Sequence, residues 1–224
     1  MEFVYHKDAG EASFNADLRA YEHVFKVRRN GIGTILLWRN MNDDMIYEYE
    51  IVSIGKKEAV LELRNSKSLV IHALHSLHIG WSVIDPKIIE KTLPMLNELG
   101  VEKVTFFYAD FSQKQFKLDD ERMQRILINS SQQCGRSTLM HLEMTKDLNS
   151  FLMTYPDATI IDFSPTVLNE EHKEGISTVV IGPEGGFSES ERKLIKKEKI
   201  LGLKSSSILR SETAVVAVAS KILV

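Results

Sequence analysis

The chain has 224 residues, 43% hydrophobic and 26% charged, a balance that supports a buried core and excludes long disorder. Its one cysteine, Cys134, excludes an internal disulfide framework and any multi-cysteine zinc or iron–sulfur site. The formal net charge of -3 excludes a uniformly basic nucleic-acid coat, though not a local basic face, and the absence of a long apolar run or a basic-then-apolar start predicts a cytoplasmic protein.

Taken in chain order, residues 17–27 place Leu18, Tyr21, Val24 and Phe25 on one face of a helical repeat. Period-two alternation then predicts strands over 32–38, 45–54 and 59–63, with Asn, Asp, Gly and Lys between them. This reads as a small antiparallel sheet or barrel and defines a first domain at residues 1–67. From Leu69 the pattern changes to strands alternating with helices, the mark of a parallel sheet covered by crossovers. Strands are predicted over 69–79, 102–108, 158–163, 177–182 and 206–208. Helices are predicted from Asp85-Pro86 to Leu99, with Gly100 past the end, and over 119–133, 146–155, 189–198 and 212–224. The second domain, residues 68–224, is therefore expected to be α/β.

Two segments carry chemistry. In Val179-Val180-Ile181-Gly182-Pro183-Glu184-Gly185-Gly186-Phe187-Ser188-Glu189-Ser190-Glu191, a β-branched run enters a glycine-rich turn. The turn ends in a capping box between Ser188 and Glu191. The glycines let a ligand approach the main chain, although a tight turn with no ligand uses the same residues. It is not a phosphate loop, because the lysine followed by Ser or Thr is missing and Glu184 repels phosphate. In Ser206-Ser207-Ile208-Leu209-Arg210-Ser211-Glu212-Thr213-Ala214, Ser211 sits where an N-cap belongs and Glu212 complements the helix dipole. Arg210 has no role in that local account, and a solvated surface arginine is its plain alternative. His72, His75 and His78 fall on opposite faces of the predicted strand, so no metal site is expected. Cys134 reads as a small buried residue.

Together the two segments resemble the RsmE family of 16S ribosomal RNA methyltransferases, in the SPOUT superfamily. Further matches are Glu98-Leu99-Gly100-Val101, Leu118 to Arg122, Gln133-Cys134-Gly135-Arg136, and a His-x-x-x-Val-x-Arg-x-x-x-Gly stretch from His23 to Gly33 that puts Arg29 on the motif arginine. The resemblance implies an α/β domain with a C-terminal trefoil knot, a PUA-like β-barrel before it that helps hold RNA, and a homodimer. It also implies S-adenosylmethionine as cofactor and N3-methyluridine in 16S ribosomal RNA of the small subunit as product. On this basis Ile181, Gly182, Pro183, Glu184, Gly185, Gly186 and Phe187 hold the cofactor. Leu203, Ser207, Ile208 and Leu209 form a second wall, and Asp162 with Phe163 a third side.

The sulfonium methyl is already electrophilic, so the protein must mainly place uridine N3 in line and assist loss of its proton. Arg210 is the candidate to stabilise charge on the uracil oxygens and Glu212 the candidate proton acceptor, with the cap-and-dipole reading of Glu212 standing beside it. Lys26, Arg28, Arg29 and Arg39 form a candidate basic cluster for RNA phosphates, joined by Arg136. The chain departs from the family at Glu2 and Phe3 where an arginine is usual, at Met95 for lysine and at Gln132 for glutamate. It also displaces the usual Leu-Gly, with Leu201-Gly202-Leu203-Lys204 before three serines. The rival readings are an inactive ribosome-assembly or RNA-binding module, and a knotted methyltransferase acting on another RNA.

Overall fold

The computed structural model describes residues 3–21, 24 and 30–224, with the backbone alone for residues 18 and 19. The expected RNA contacts Lys26, Arg28 and Arg29 lie outside the described residues. The chain divides into two compact units, Met1–His72 with Ile128–Leu139, and Ala73–Leu127 with Met140–Val224. The sequence boundary at 67 therefore moves to 72, and a later segment rejoins the first unit.

The first unit runs β1 (Val4–Tyr5), β2 (Ser13–Asn15), α1 (Leu18–Tyr21), β3 (Ile35–Arg39), β4 (Met45–Ile54) and β5 (Ala59–Ser68). The strands form one sheet in the order β1-β3-β4-β5-β2, antiparallel except for β1 beside β3. Register shifts at Glu48/Tyr49 and Ile51/Ser53 interrupt the β4–β5 ladder; such irregularities bend and twist a ribbon. Phe14, Trp38, Tyr49, Ile51 and Leu61 are buried together, with Phe14 edge-on to Trp38 at 5.2 Å between ring centroids.

Arg39 corrects a sequence expectation. Its side chain is 1% exposed, and its guanidinium donates to Met45 O at 3.2 Å and Leu69 O at 2.8 Å over the Phe3 ring. A cation spent on backbone carbonyls in the interior is a strut of the β unit and not a surface phosphate contact. Arg136 is likewise buried in this unit, against the expectation of an RNA-facing cation, whereas Cys134, read as buried, is exposed. Gln132, a family departure, accepts from the Tyr5 amide at 2.9 Å. Ser137 Oγ donates to Asp44 at 2.6 Å and accepts from the Ile71 amide at 3.1 Å.

The second unit runs β6 (His78–Ser82), α2 (Pro86–Leu99), β7 (Lys103–Tyr108), α3 (Asp120–Cys134), β8 (His141–Asp147), α4 (Leu148–Thr154), β9 (Thr159–Ile161), α5 (Glu170–Lys173), β10 (Thr178–Ile181), α6 (Glu189–Arg192), β11 (Ile200–Leu201) and α7 (Ser211–Leu223). From Ile128 onward α3 belongs to the first unit. The sheet is parallel throughout, in the order β11-β9-β10-β6-β7-β8, so the second unit is α/β. Asp85 caps α2 by accepting from the Lys87 amide, and Gly100 ends it at φ 92°.

Several elements differ from the sequence pattern. The strand predicted over 69–79 is confined to β6, because Val70 and Leu74 turn outward at 60% and 98% exposure and find no face to bury. Of its histidines only His78 lies in a strand, packed against Phe151 and Tyr155. The predicted helix over 189–198 stops at Arg192 and a 3₁₀ turn follows at Lys197–Lys199. The short strand expected at 206–208 lies instead at β11, because Ser205 and Ser207 bond to each other in a local turn. β8 was unmarked in the sequence because it is an edge strand without a buried face.

Candidate cofactor site

The carboxyl ends of β9, β10 and β11 open on one cavity of about 280 Å³, the place where open α/β sheets receive ligands. One wall is Ile181 to Phe187, leaving β10; a second is Leu203, Ser207, Ile208 and Leu209, ahead of α7; a third is Asp162 and Phe163, leaving β9. The structure thus brings every sequence-predicted cofactor residue to a single cavity. Its mouth is apolar, with Phe163 and Ile208 left 77% and 80% exposed.

The walls are shaped by bonds made behind them. Gly186 takes φ 69° and its amide returns to Pro183 O at 2.8 Å, closing a turn at a backbone angle that favours glycine. Ser188 caps α6, and the buried Glu191 answers by accepting from the Ser188 amide at 2.9 Å and the Asp110 amide at 3.0 Å. Asp110 accepts from the hydroxyls of Ser188 and Ser190, which hold its carboxyl below the usual range. Between the other two walls, Gly202 donates to Thr166 O at 2.8 Å and accepts from the Leu168 amide at 2.9 Å. A Cβ at Gly202 would stand 2.5 Å from Ser164 O, so this crossing requires glycine.

Ser211 has a different role from the one its position suggests. The helix begins at Ser211, with Arg210 in the cap position and no side-chain cap bond. The buried Ser211 hydroxyl donates to Gly182 O at 2.7 Å and accepts from Trp81 Nε1 at 2.9 Å. It therefore ties the first wall, the start of α7 and the central strand β6 together. Sequence reasoning also missed Arg192, which lines the cavity and donates to Phe187 O at 3.1 Å and Asp162 at 2.5 Å. Its position directly after the capping-box glutamate was the available signal.

The two expected reaction groups flank Ser211 without lining the cavity. Arg210 is exposed. Glu212 sits in the first turn of α7, and its Oε2 is shielded from solvent with no hydrogen-bond partner. Buried polar atoms of this kind are uncommon in folded proteins and call for a specific reason. Among the described residues no group of three or more His, Cys, Asp or Glu is placed to hold a metal ion, and no helix is long and apolar enough to cross a membrane.

The chain compares closely with known proteins. A sequence family described as RNA methyltransferase domain matches residues 72–223. A ribosomal RNA small subunit methyltransferase E from Helicobacter pylori strain J99 is 44% identical over 225 residues, 98% of each chain. Among solved structures, a ribosomal RNA small subunit methyltransferase E from Neisseria gonorrhoeae bound to S-adenosyl methionine shares the fold with a TM-score of 0.80 at 19% identity, over 98% of this chain and 96% of that one. A Legionella pneumophila protein in complex with the bound cofactor SAM gives 0.81 at 22% identity, over 98% and 95%. The chain belongs to the RNA methyltransferase domain family, in the group of the ribosomal RNA small subunit methyltransferase E proteins.

Proposed function

We propose that this protein is an S-adenosylmethionine-dependent methyltransferase that modifies N3 of a uridine in the 16S ribosomal RNA of the small subunit. The observation that carries the reading is the convergence of the Gly182 to Phe187 loop, the Leu203 to Leu209 segment and the end of β9 on one cavity. The 44% identity to a small-subunit methyltransferase E over nearly the whole chain supports the substrate class. The cavity fits the cofactor in kind. It offers apolar surface at Phe163 and Ile208 for a flat base, main chain along the glycine loop for hydrogen bonds, and a charged pair at Asp162 and Arg192 for the polar end.

When bound, S-adenosylmethionine supplies an electrophilic methyl group. The chain's own residues then orient, shield and move a proton. The three walls hold the cofactor, and the buttresses at Glu191, Asp110 and Ser211 keep them in place before it arrives, which is how positioning lowers a barrier. Arg210, on the exposed rim beside Leu209 and Ser211, stabilises negative charge on the uracil oxygens. The Glu212 carboxylate, two residues from Arg210 in the same motif, is assigned as the acceptor of the N3 proton on the family resemblance. The β unit is assigned to RNA holding, as the PUA-like domain of the family implies. The enzyme acts as a cytoplasmic homodimer, with no metal in the reaction. The close crossing of Gly202 against Ser164 to Leu168 is compatible with the C-terminal trefoil knot that the family implies.

Titration calorimetry with S-adenosylmethionine is the first test, and absence of binding sinks the cofactor reading in favour of a binding-only assembly module. Mass mapping of 16S RNA from cells lacking the protein is the second. Loss of one N3-methyluridine, restored by the wild-type chain and not by Arg210→Ala, is expected. An unchanged uridine pattern refutes the substrate, and a different modified RNA in its place identifies the rival target.

A further inference from the structure

We infer that Arg192, held by Asp162, is a specificity-determining residue that reads the carboxylate at the amino-acid end of the cofactor. This rests on the S-adenosylmethionine reading above. Among the described residues that line the cavity, Arg192 is the one cation. The cofactor carries two positive groups, its sulfonium and its ammonium, and a single negative one, its carboxylate. Charge complementarity therefore pairs that carboxylate with Arg192.

The local geometry prepares the guanidinium for this role. Its Nε donates to Phe187 O at 3.1 Å and one terminal nitrogen donates to Asp162 Oδ2 at 2.5 Å. The other terminal nitrogen faces Gly186, 3.7 Å from where a Cβ at that glycine would stand. An arginine offers five N–H donors in a fixed plane, so the bonds to Phe187 and Asp162 orient the group and leave donors for a ligand. Asp162 is itself anchored: its side chain is 8% exposed and its Oδ1 accepts from the Phe163 amide at 2.8 Å. A fixed cation loses little freedom when it binds, which raises its contribution to affinity. The Arg192 side chain stays 46% exposed, so a ligand can reach it.

The competing role is a strut that only holds the glycine loop to β9. Ligand choice separates the two. The full-length protein, Arg192→Met and Arg192→Lys are titrated calorimetrically with S-adenosylmethionine and with 5′-methylthioadenosine, which keeps the nucleoside and thioether and lacks the amino-acid end. The methionine variant is expected to weaken S-adenosylmethionine about tenfold or more, the loss of a charge-assisted bond, while 5′-methylthioadenosine binds within about twofold of wild type. The lysine variant keeps a charge without the fork and is expected to fall between; it carries the same comparison if the methionine variant melts. Equal weakening of both ligands overturns the inference in favour of the strut, and unchanged binding of both overturns it outright. A wild-type chain that binds neither ligand removes the cofactor reading itself, and the inference with it.

Discussion

Ser211→Ala is the substitution that most directly tests how the cavity is held. The hydroxyl is the shared partner of two otherwise buried groups, the Trp81 indole N–H and the Gly182 carbonyl. Trp81 is fully buried, so its N–H has no water to turn to. Leaving a buried donor or acceptor unmade costs about 1–3 kcal/mol each, and partial relaxation at the glycine turn places the sum at about 2–4 kcal/mol. For a chain of this length each kcal/mol lowers Tm by about 2–4 °C, so a drop of roughly 4–16 °C is expected. Cofactor affinity should fall as well, because Gly182 opens the first wall of the cavity.

The assay is a double-mutant cycle with Trp81→Phe, read by urea unfolding. If Ser211 serves Trp81, then once the indole is gone Ser211→Ala abandons one group instead of two. The pair should couple by about 1 kcal/mol or more. Additivity within about 0.5 kcal/mol refutes the shared-partner argument. It would leave Ser211 as an independent hydrogen bond, whose loss costs about 1 kcal/mol.

Three further outcomes follow from the same structure. Gly202→Ala drives a Cβ to 2.5 Å from the backbone oxygen of Ser164, which has no rotamer to yield; overpacking costs typically about 1–3 kcal/mol, and a calorimetric titration should show cofactor binding falling with it, while a wild-type melt and affinity would disprove the close crossing. Arg39→Met should destabilise the chain by about 2–4 kcal/mol, from two charge-assisted bonds to carbonyls; a loss of RNA affinity beyond the lost folded fraction would restore Arg39 to the RNA contacts. His78 is pushed down to about 4 by burial and then by Lys103, so between about 6.5 and 4 the unfolded chain binds a proton that the folded chain refuses. Stability should therefore fall as pH drops through that window, by at most about 3 kcal/mol, with the imidazole NMR resonance still neutral at pH 5. A resonance titrating near 6.5 would contradict it.

What could be read from the sequence follows from how locally each signal is generated. The convergence of the wall segments on one cavity was legible because glycines, a proline and a capping box must be written at the turn itself. Asp85-Pro86 and Gly100 marked α2 for the same reason. Ser211 was misread because a helix-capping hydroxyl and a hydroxyl bonded to Trp81, far away in sequence, occupy the same position in the same kind of motif. Arg39 was misread because charge in a basic stretch carries no mark of burial; its acceptors, Met45 O and Leu69 O, come from other segments. β8 carried no signal, since an edge strand with exposed Glu143 and Met144 has no buried face to alternate with.

These cases locate the constraints on the site. Gly182, Gly185, Gly186 and Gly202 present main chain to the cavity, and substitutions in lining side chains such as Ser207 or Ile208 alter its surface without moving the frame. The frame depends on groups set behind the wall: Glu191 between Ser188 and Asp110, Ser211 between Gly182 and Trp81, and Gly202 where no side chain fits. A ligand bound through main-chain groups is held only as well as those backbones are fixed, because each backbone bond needs placement within a few tenths of an ångström. Loss of a buttress should therefore lower cofactor affinity more than loss of a lining side chain that makes no anchoring bond, with Arg192 the exception because it both lines the cavity and anchors it.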